Sequence, residues 1–213
     1  MEIEKILNYL SQDKSKIINV LCGGNWQHFR NYFFIRDNFL NGNLDKKFES
    51  VFCGFYILNG PGGMDSLQKE KFFELLSSKV NDLRQILYIL YEVPGYKESH
   101  RLFLSFGSKL IHTVNNDLPI YDRNIARLLK LRPQMYYATL EERIDNRIGI
   151  YQELKDDFNT LLSDAHIRNY LKNIRQDLQS KAECDKFNWQ DKFISDTKLL
   201  DSVLWALYTV IEN

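Results

Sequence analysis

Apolar residues recur along this chain at intervals of three and four, and nowhere in the strict alternation that a half-buried strand needs. Ile3, Ile6, Leu7 and Leu10 fall on one face of a first helix. Trp26, Phe29 and Phe33 continue the pattern, with Tyr32, Ile35 and Phe39 widening the stripe. Phe48, Val51, Phe52 and Phe55 repeat it until the chain breaks at Asn59-Gly60-Pro61-Gly62-Gly63. Asp65 with Gln68 three residues later reads as a capping box opening the next helix. Val80, Leu83, Leu87 and Leu90 form another stripe, stopped by Pro94-Gly95. Thr139 with Glu142 is a second capping box, followed by Leu140, Ile144, Ile148, Tyr151, Leu154, Phe158 and Leu161 in steps of three and four. Ile167 to Leu178 and Leu200 to Ile211 supply two more stripes. The pattern predicts an all-α unit over residues 1–213, of about nine or ten helices joined by short connections.

Such a chain can bury a core. Its 213 residues are 44% hydrophobic and 14% aromatic, which suits a packed domain and excludes a disordered or collagen-like chain. The three cysteines (Cys22, Cys53, Cys184) form no C-x-x-C pair, and the four histidines show no ligand spacing, so neither a metal site nor a metal cluster is expected and no cofactor is implied. The N-terminus lacks the layout of a signal peptide, and the apolar run Val203–Ile211 is far short of a membrane span. The expectation is a cytoplasmic, reduced protein without membrane contact. The sequence sets no oligomeric state.

Lys+Arg and Asp+Glu both number 28, which excludes a uniformly basic nucleic-acid coat. The balance is local, however. Residues 101–132 hold six basic side chains against two acidic ones, and the remainder of the chain compensates. Any polyanion should meet this middle segment.

The same segment carries the chemistry. Ser105-Phe106-Gly107-Ser108 reads as a break between two helices, where free backbone N–H groups at the new N-terminus would suit a phosphate. Lys109 then opens the second helix. Leu118-Pro119-Ile120-Tyr121 is forced extended by its proline, and Asp122 stands at the start of another helix. There Arg123, Arg127 and Lys130 share one face, with Ile125, Leu128 and Leu129 on the opposite one.

This order of parts is a helix, a glycine-containing hairpin, a lysine, a proline-containing extended loop and an aspartate at a helix start. It resembles the helix-hairpin-helix (HhH-GPD) DNA glycosylase superfamily. The resemblance covers about 97–132. It implies a bilobal helical fold with a cleft between the lobes, double-stranded DNA as partner, and excision of a damaged or modified base by cleavage of its N-glycosidic bond. A modified base in phage DNA is as eligible as an oxidised or alkylated one. Asp122 would be the catalytic carboxylate and Lys109 the candidate nucleophile, giving lyase activity as well. Gly107 and Ser108 would hold DNA phosphates with Arg123, Arg127 and Lys130. Phe55-Tyr-Ile-Leu-Asn59 before the Gly-rich turn resembles the helix end that feeds a DNA-probing loop in that family. Of the family's Leu-Pro-Gly-Val-Gly hairpin only Gly107 is present, and Lys109 and Asp122 are closer in sequence than usual.

Each residue also has a plainer reading. Asp122 is a good N-cap, Lys109 an ordinary solvated helix residue, and the Arg123/Arg127/Lys130 stripe an ordinary surface. Asn59, Trp26, His112 and Tyr121 are candidates for a base pocket, yet His112 also reads as a core histidine and helical aromatics usually pack the interior. Trp205, inside Leu199-Leu-Asp-Ser-Val-Leu-Trp-Ala-Leu207, reads as packing. The Gly-rich turn lacks the Lys and Ser/Thr of a P-loop. The competing function is a non-catalytic helical module that binds nucleic acid or protein.

Overall fold

The computed structural model describes residues 3–60 and 62–212; Met1, Glu2, Asn213 and Pro61 of the Gly-rich turn lie outside them. Among the described residues there are ten α-helices and no strand. They are α1 (Ile3–Gln12), α2 (Lys14–Leu40), α3 (Lys46–Phe55), α4 (Ser66–Ser77), α5 (Leu83–Glu92), α6 (Leu104–Val114), α7 (Arg123–Leu128), α8 (Leu140–Ser163), α9 (Ala165–Cys184) and α10 (Asp196–Glu212). The capping boxes that open α4 and α8 are both formed, by Asp65 with Gln68 and by Thr139 with Glu142. None of these helices is long and apolar enough to cross a membrane.

Helix α2 is the spine. It packs on α3, α9 and α10, while α10 also meets α7, α8 and α9. The apolar faces close on one continuous core that includes Phe29, Tyr32, Phe48, Phe52, Phe72, Phe158 and Leu204. The spine is not straight. Gly24, Asn25 and Trp26 are all left-handed, at φ of 58°, 57° and 64°. This reverses the local backbone and swings Trp26 inward, where it stacks on Phe187 at 4.8 Å and donates from Nε1 to Asp185.

One local expectation fails. Residues 105–108 do not break a helix, because α6 runs through them without interruption from Leu104 to Val114. The Gly107 N–H is already bonded to the Phe103 carbonyl, and Ser108 is fully buried. Neither residue offers a free amide to a phosphate. Gly107 has a packing reason instead. A Cβ there would stand 2.8 Å from Leu83 Cδ1, so the glycine lets α6 lie close against α5.

A second irregularity sits at the end of α3. Leu58 N–H bonds back to the Cys53 carbonyl, and Ile57 before it adopts φ 57°. That position favours glycine, since a β-branched side chain in the left-handed region is strained. The side chain is 68% exposed, so burial does not compensate. Ile57→Gly is therefore expected to stabilise the fold by about 0.5–1 kcal/mol, the relief of strain less the entropy of glycine. Thermal unfolding should show a Tm rise of about 1–4 °C; a fall in Tm would mean the isoleucine makes contacts worth more than its strain.

Candidate functional site

The site is assembled around the segment that follows α6. Three buried side chains pin residues 118–121 to the helices behind them. His112 Nδ1 meets the Leu118 carbonyl at 2.6 Å, Tyr151 Oη donates to the Pro119 carbonyl at 2.9 Å, and Ser108 Oγ accepts from the Tyr121 N–H at 2.9 Å. A carbonyl can only accept, so Nδ1 of His112 carries the proton and Nε2 accepts from Tyr32 Oη at 3.2 Å. Complete burial, reinforced by the Lys198 charge, pushes the pKa of His112 down to about 3 and keeps the ring neutral. His112 and Ser108 are thus positioning groups for this loop.

The loop delivers Asp122 to the start of α7, where its own backbone is extended at φ −116° and ψ 142°. Asp122 Oδ1 accepts from the N–H groups of Asn124 at 2.8 Å and Ile125 at 3.4 Å. Among the described residues no hydrogen bond reaches Oδ2. The cap uses one oxygen and leaves the other uncommitted.

Lys109 lies in the middle of α6 rather than at its start. Its Nζ donates to the Tyr56 carbonyl at 3.1 Å and to Ser105 Oγ at 3.0 Å, and sits 5.1 Å from the Phe106 ring centre. Burial pushes its pKa down to about 8, against the opposing pull of Asp122 and Asp201. The plain reading of Lys109 as a solvated lysine does not hold, since the side chain is buried.

Lys109 and Asp122 line one cavity of about 130 Å³, together with His28, Phe55, Tyr56, Ile57, Ile120, Ile125, Lys198, Asp201 and Trp205. Helices α2, α3, α6, α7 and α10 each contribute. The His28 ring stacks on Trp205 at 5.5 Å and bonds Ser202 Oγ at 3.1 Å, and its enclosure and Lys198 push its pKa well down. Lys198 and Asp201 form a buried ion pair at 2.7 Å. Larger grooves exist, such as one of about 590 Å³ between Arg30 and Lys186. The small cavity is distinguished by its chemistry, two lysines and two aspartates converging within apolar walls.

The other expected residues fall elsewhere. Arg123, Arg127 and Lys130 are exposed, and Arg127 reaches Tyr208 Oη at 3.3 Å. None of the four side chains expected to wall a base pocket lines the cavity. Trp26 is packed under Phe187, and His112 is sealed in the core. Asn59 accepts from Lys69 on the outer side of α3 and α4, and Tyr121 turns away to accept from Gln134. The aromatic wall comes instead from Phe55 and Trp205. Lys198 and Asp201 had one visible signal, two opposite charges three residues apart on either side of Leu199 and Leu200 in a largely apolar helix. No protein-family model, curated protein or solved structure matches this chain.

Proposed function

We propose that this protein is a DNA N-glycosylase-like enzyme working at the cavity between Lys109 and Asp122. The observation that carries the reading is their convergence, from two different helices, on one cavity with aromatic walls. Its volume of about 130 Å³ compares with the roughly 150 Å³ that encloses a benzene. It has room for a single base, with the sugar left at the mouth. Phe55 and Trp205 put aromatic surface in its wall, as the pocket for an extruded base requires. On this reading the cavity is the cleft of a bilobal fold. Ile57, exposed at the mouth, is the side chain available to fill the gap that an extruded base leaves in the stack.

The chemistry follows from the residues. The C1′–N bond breaks and its electron pair leaves with the base. The Asp122 carboxylate stabilises the positive charge that develops on the sugar. The Lys109 amine, or a water, then adds to C1′; addition of the amine leads on to a Schiff base.

The test is incubation with duplexes that each carry one altered base, followed by detection of abasic sites. Release from at least one duplex is expected. Binding to all of them without release would favour the second reading, a non-catalytic helical module. One observation favours that reading, namely that the cavity is smaller than the roughly 300–1,000 Å³ of most ligand sites.

The phosphates are assigned to Arg123 and Arg127 on α7 and to Lys130, which lies beyond the end of α7 at φ 56° rather than on the helical face that the spacing predicted. Replacing all three by alanine should weaken binding alike on every sequence. The slope of log K against log salt should flatten by roughly 0.9 for each phosphate that the variant no longer neutralises. An unchanged slope would place the DNA on another face.

A further inference from the structure

The ion pair in the cavity wall has no evident structural purpose. Lys198 is 2% exposed and Asp201 5%, and they occupy a helix whose neighbouring positions are Leu199, Leu200, Val203 and Leu204. A buried pair of this kind seldom stabilises a fold better than apolar residues of the same volume. Lys198 Nζ bonds Asp201 Oδ2 and lies 4.9 Å from the Tyr32 ring. Among the described residues it makes no other hydrogen bond, so two of its three donors are unspent. Both residues line the cavity that holds Lys109 and Asp122. The charged and titratable groups around Lys198 are Asp201 on its own helix, Lys109 and His112 from α6, Asp122 at α7, His28 and Tyr32 from α2, and Tyr56 after α3.

We infer that Lys198, held by Asp201, is the group that takes up the negative charge of the departing base, and that the substrate is an uncharged base with a lactam edge. The inference rests on the glycosylase reading. When the C1′–N bond of such a base breaks, the electron pair passes into the ring and onto the lactam oxygen. An ammonium already fixed in a dry wall stabilises that oxygen without reorganising. Asp201 holds Lys198 in place and accepts the adjacent lactam N–H, so the pair reads carbonyl and N–H together. The base leaves as its anion and takes a proton from water. A base that is cationic in the nucleoside, such as 7-methylguanine, departs neutral and gains nothing from Lys198.

The experiment uses the full chain in its wild-type form, as Lys198→Met, and as the double variant Lys198→Met with Asp201→Leu. The double variant removes both charges, so its fold should survive with an unchanged or higher Tm. Single-turnover base release is measured on duplexes carrying uracil, hypoxanthine, 8-oxoguanine or 7-methylguanine. The wild type should release a lactam base, and any release of 7-methylguanine should owe nothing to Lys198. The double variant should lose about 10²-fold on the lactam base, the usual effect of removing one charge-stabilising donor. Its relative rate on 7-methylguanine should rise. Full activity of a folded double variant on the lactam base would overturn the inference, as would an equal loss on both kinds of base. Each would leave the glycosylase reading standing. Absence of release from all four duplexes and from every other altered base by the wild type would overturn that reading, and this inference with it.

Discussion

Asp122→Asn is expected to lose base release by about 10³-fold while the protein keeps its fold and its affinity for DNA. The carboxylate has two separable duties. Oδ1 caps α7 through the N–H groups of Asn124 and Ile125, and Oδ2 carries no hydrogen bond among the described residues. Asparagine caps a helix as well as aspartate does, so the first duty survives the substitution. The second does not, because a neutral amide cannot stabilise a sugar cation. Asp122→Ala supplies the contrast. It should be equally inactive, and in addition less stable by about 0.5–2 kcal/mol because the cap is gone. Thermal unfolding and single-turnover assays on the two variants separate the duties. A folded Asp122→Asn protein that releases base at the wild-type rate would eliminate the carboxylate from the mechanism.

The reading of helices from spacing worked because each apolar stripe is wide and ends at a recognisable cap. The box at Thr139 and Glu142 forms as expected, and so does the one at Asp65 and Gln68. Asp122 was legible for the same reason, since Pro119 fixes the approach and the aspartate begins the helix. Gly107 misled, because a glycine looks the same in sequence whether it breaks a helix or lets two helices touch. Only the proximity of Leu83 tells the cases apart. Trp26 misled in the opposite way. Its position at helical spacing hid the left-handed turn that carries it away from the cavity. His28, Trp205, Lys198 and Asp201 come from segments more than 150 residues apart, and nothing local in either segment announces the other. Long-range convergence of this kind is created by packing, and a single sequence shows only the parts.

Lys109 makes the sharpest chemical prediction. With its pKa pushed down to about 8, roughly one amine in ten is unprotonated at pH 7, far more than for a solvent-exposed lysine. Borohydride should therefore trap a covalent adduct with substrate DNA in the wild type and not in Lys109→Met. The yield should climb through pH 7–9 as the amine is freed. The same shift has a consequence for folding that needs no substrate. The folded pKa lies below the unfolded value of 10.5. Between pH 8 and 10.5 the unfolded chain therefore binds more protons at this position, and stability from this group rises with pH. Below pH 8 both states are protonated, and the cost of burying the charge is fully present. The stability difference between wild type and Lys109→Met should accordingly shift in favour of the wild type as pH rises from 8 to 10.5, measured by urea unfolding. A flat difference across that window would mean the lysine is not held in the cavity as described. Adduct that survives Lys109→Met would move the nucleophile to another amine. Base release without adduct in either protein would assign the attack on C1′ to water and leave Lys109 as a positioning charge beside Asp122.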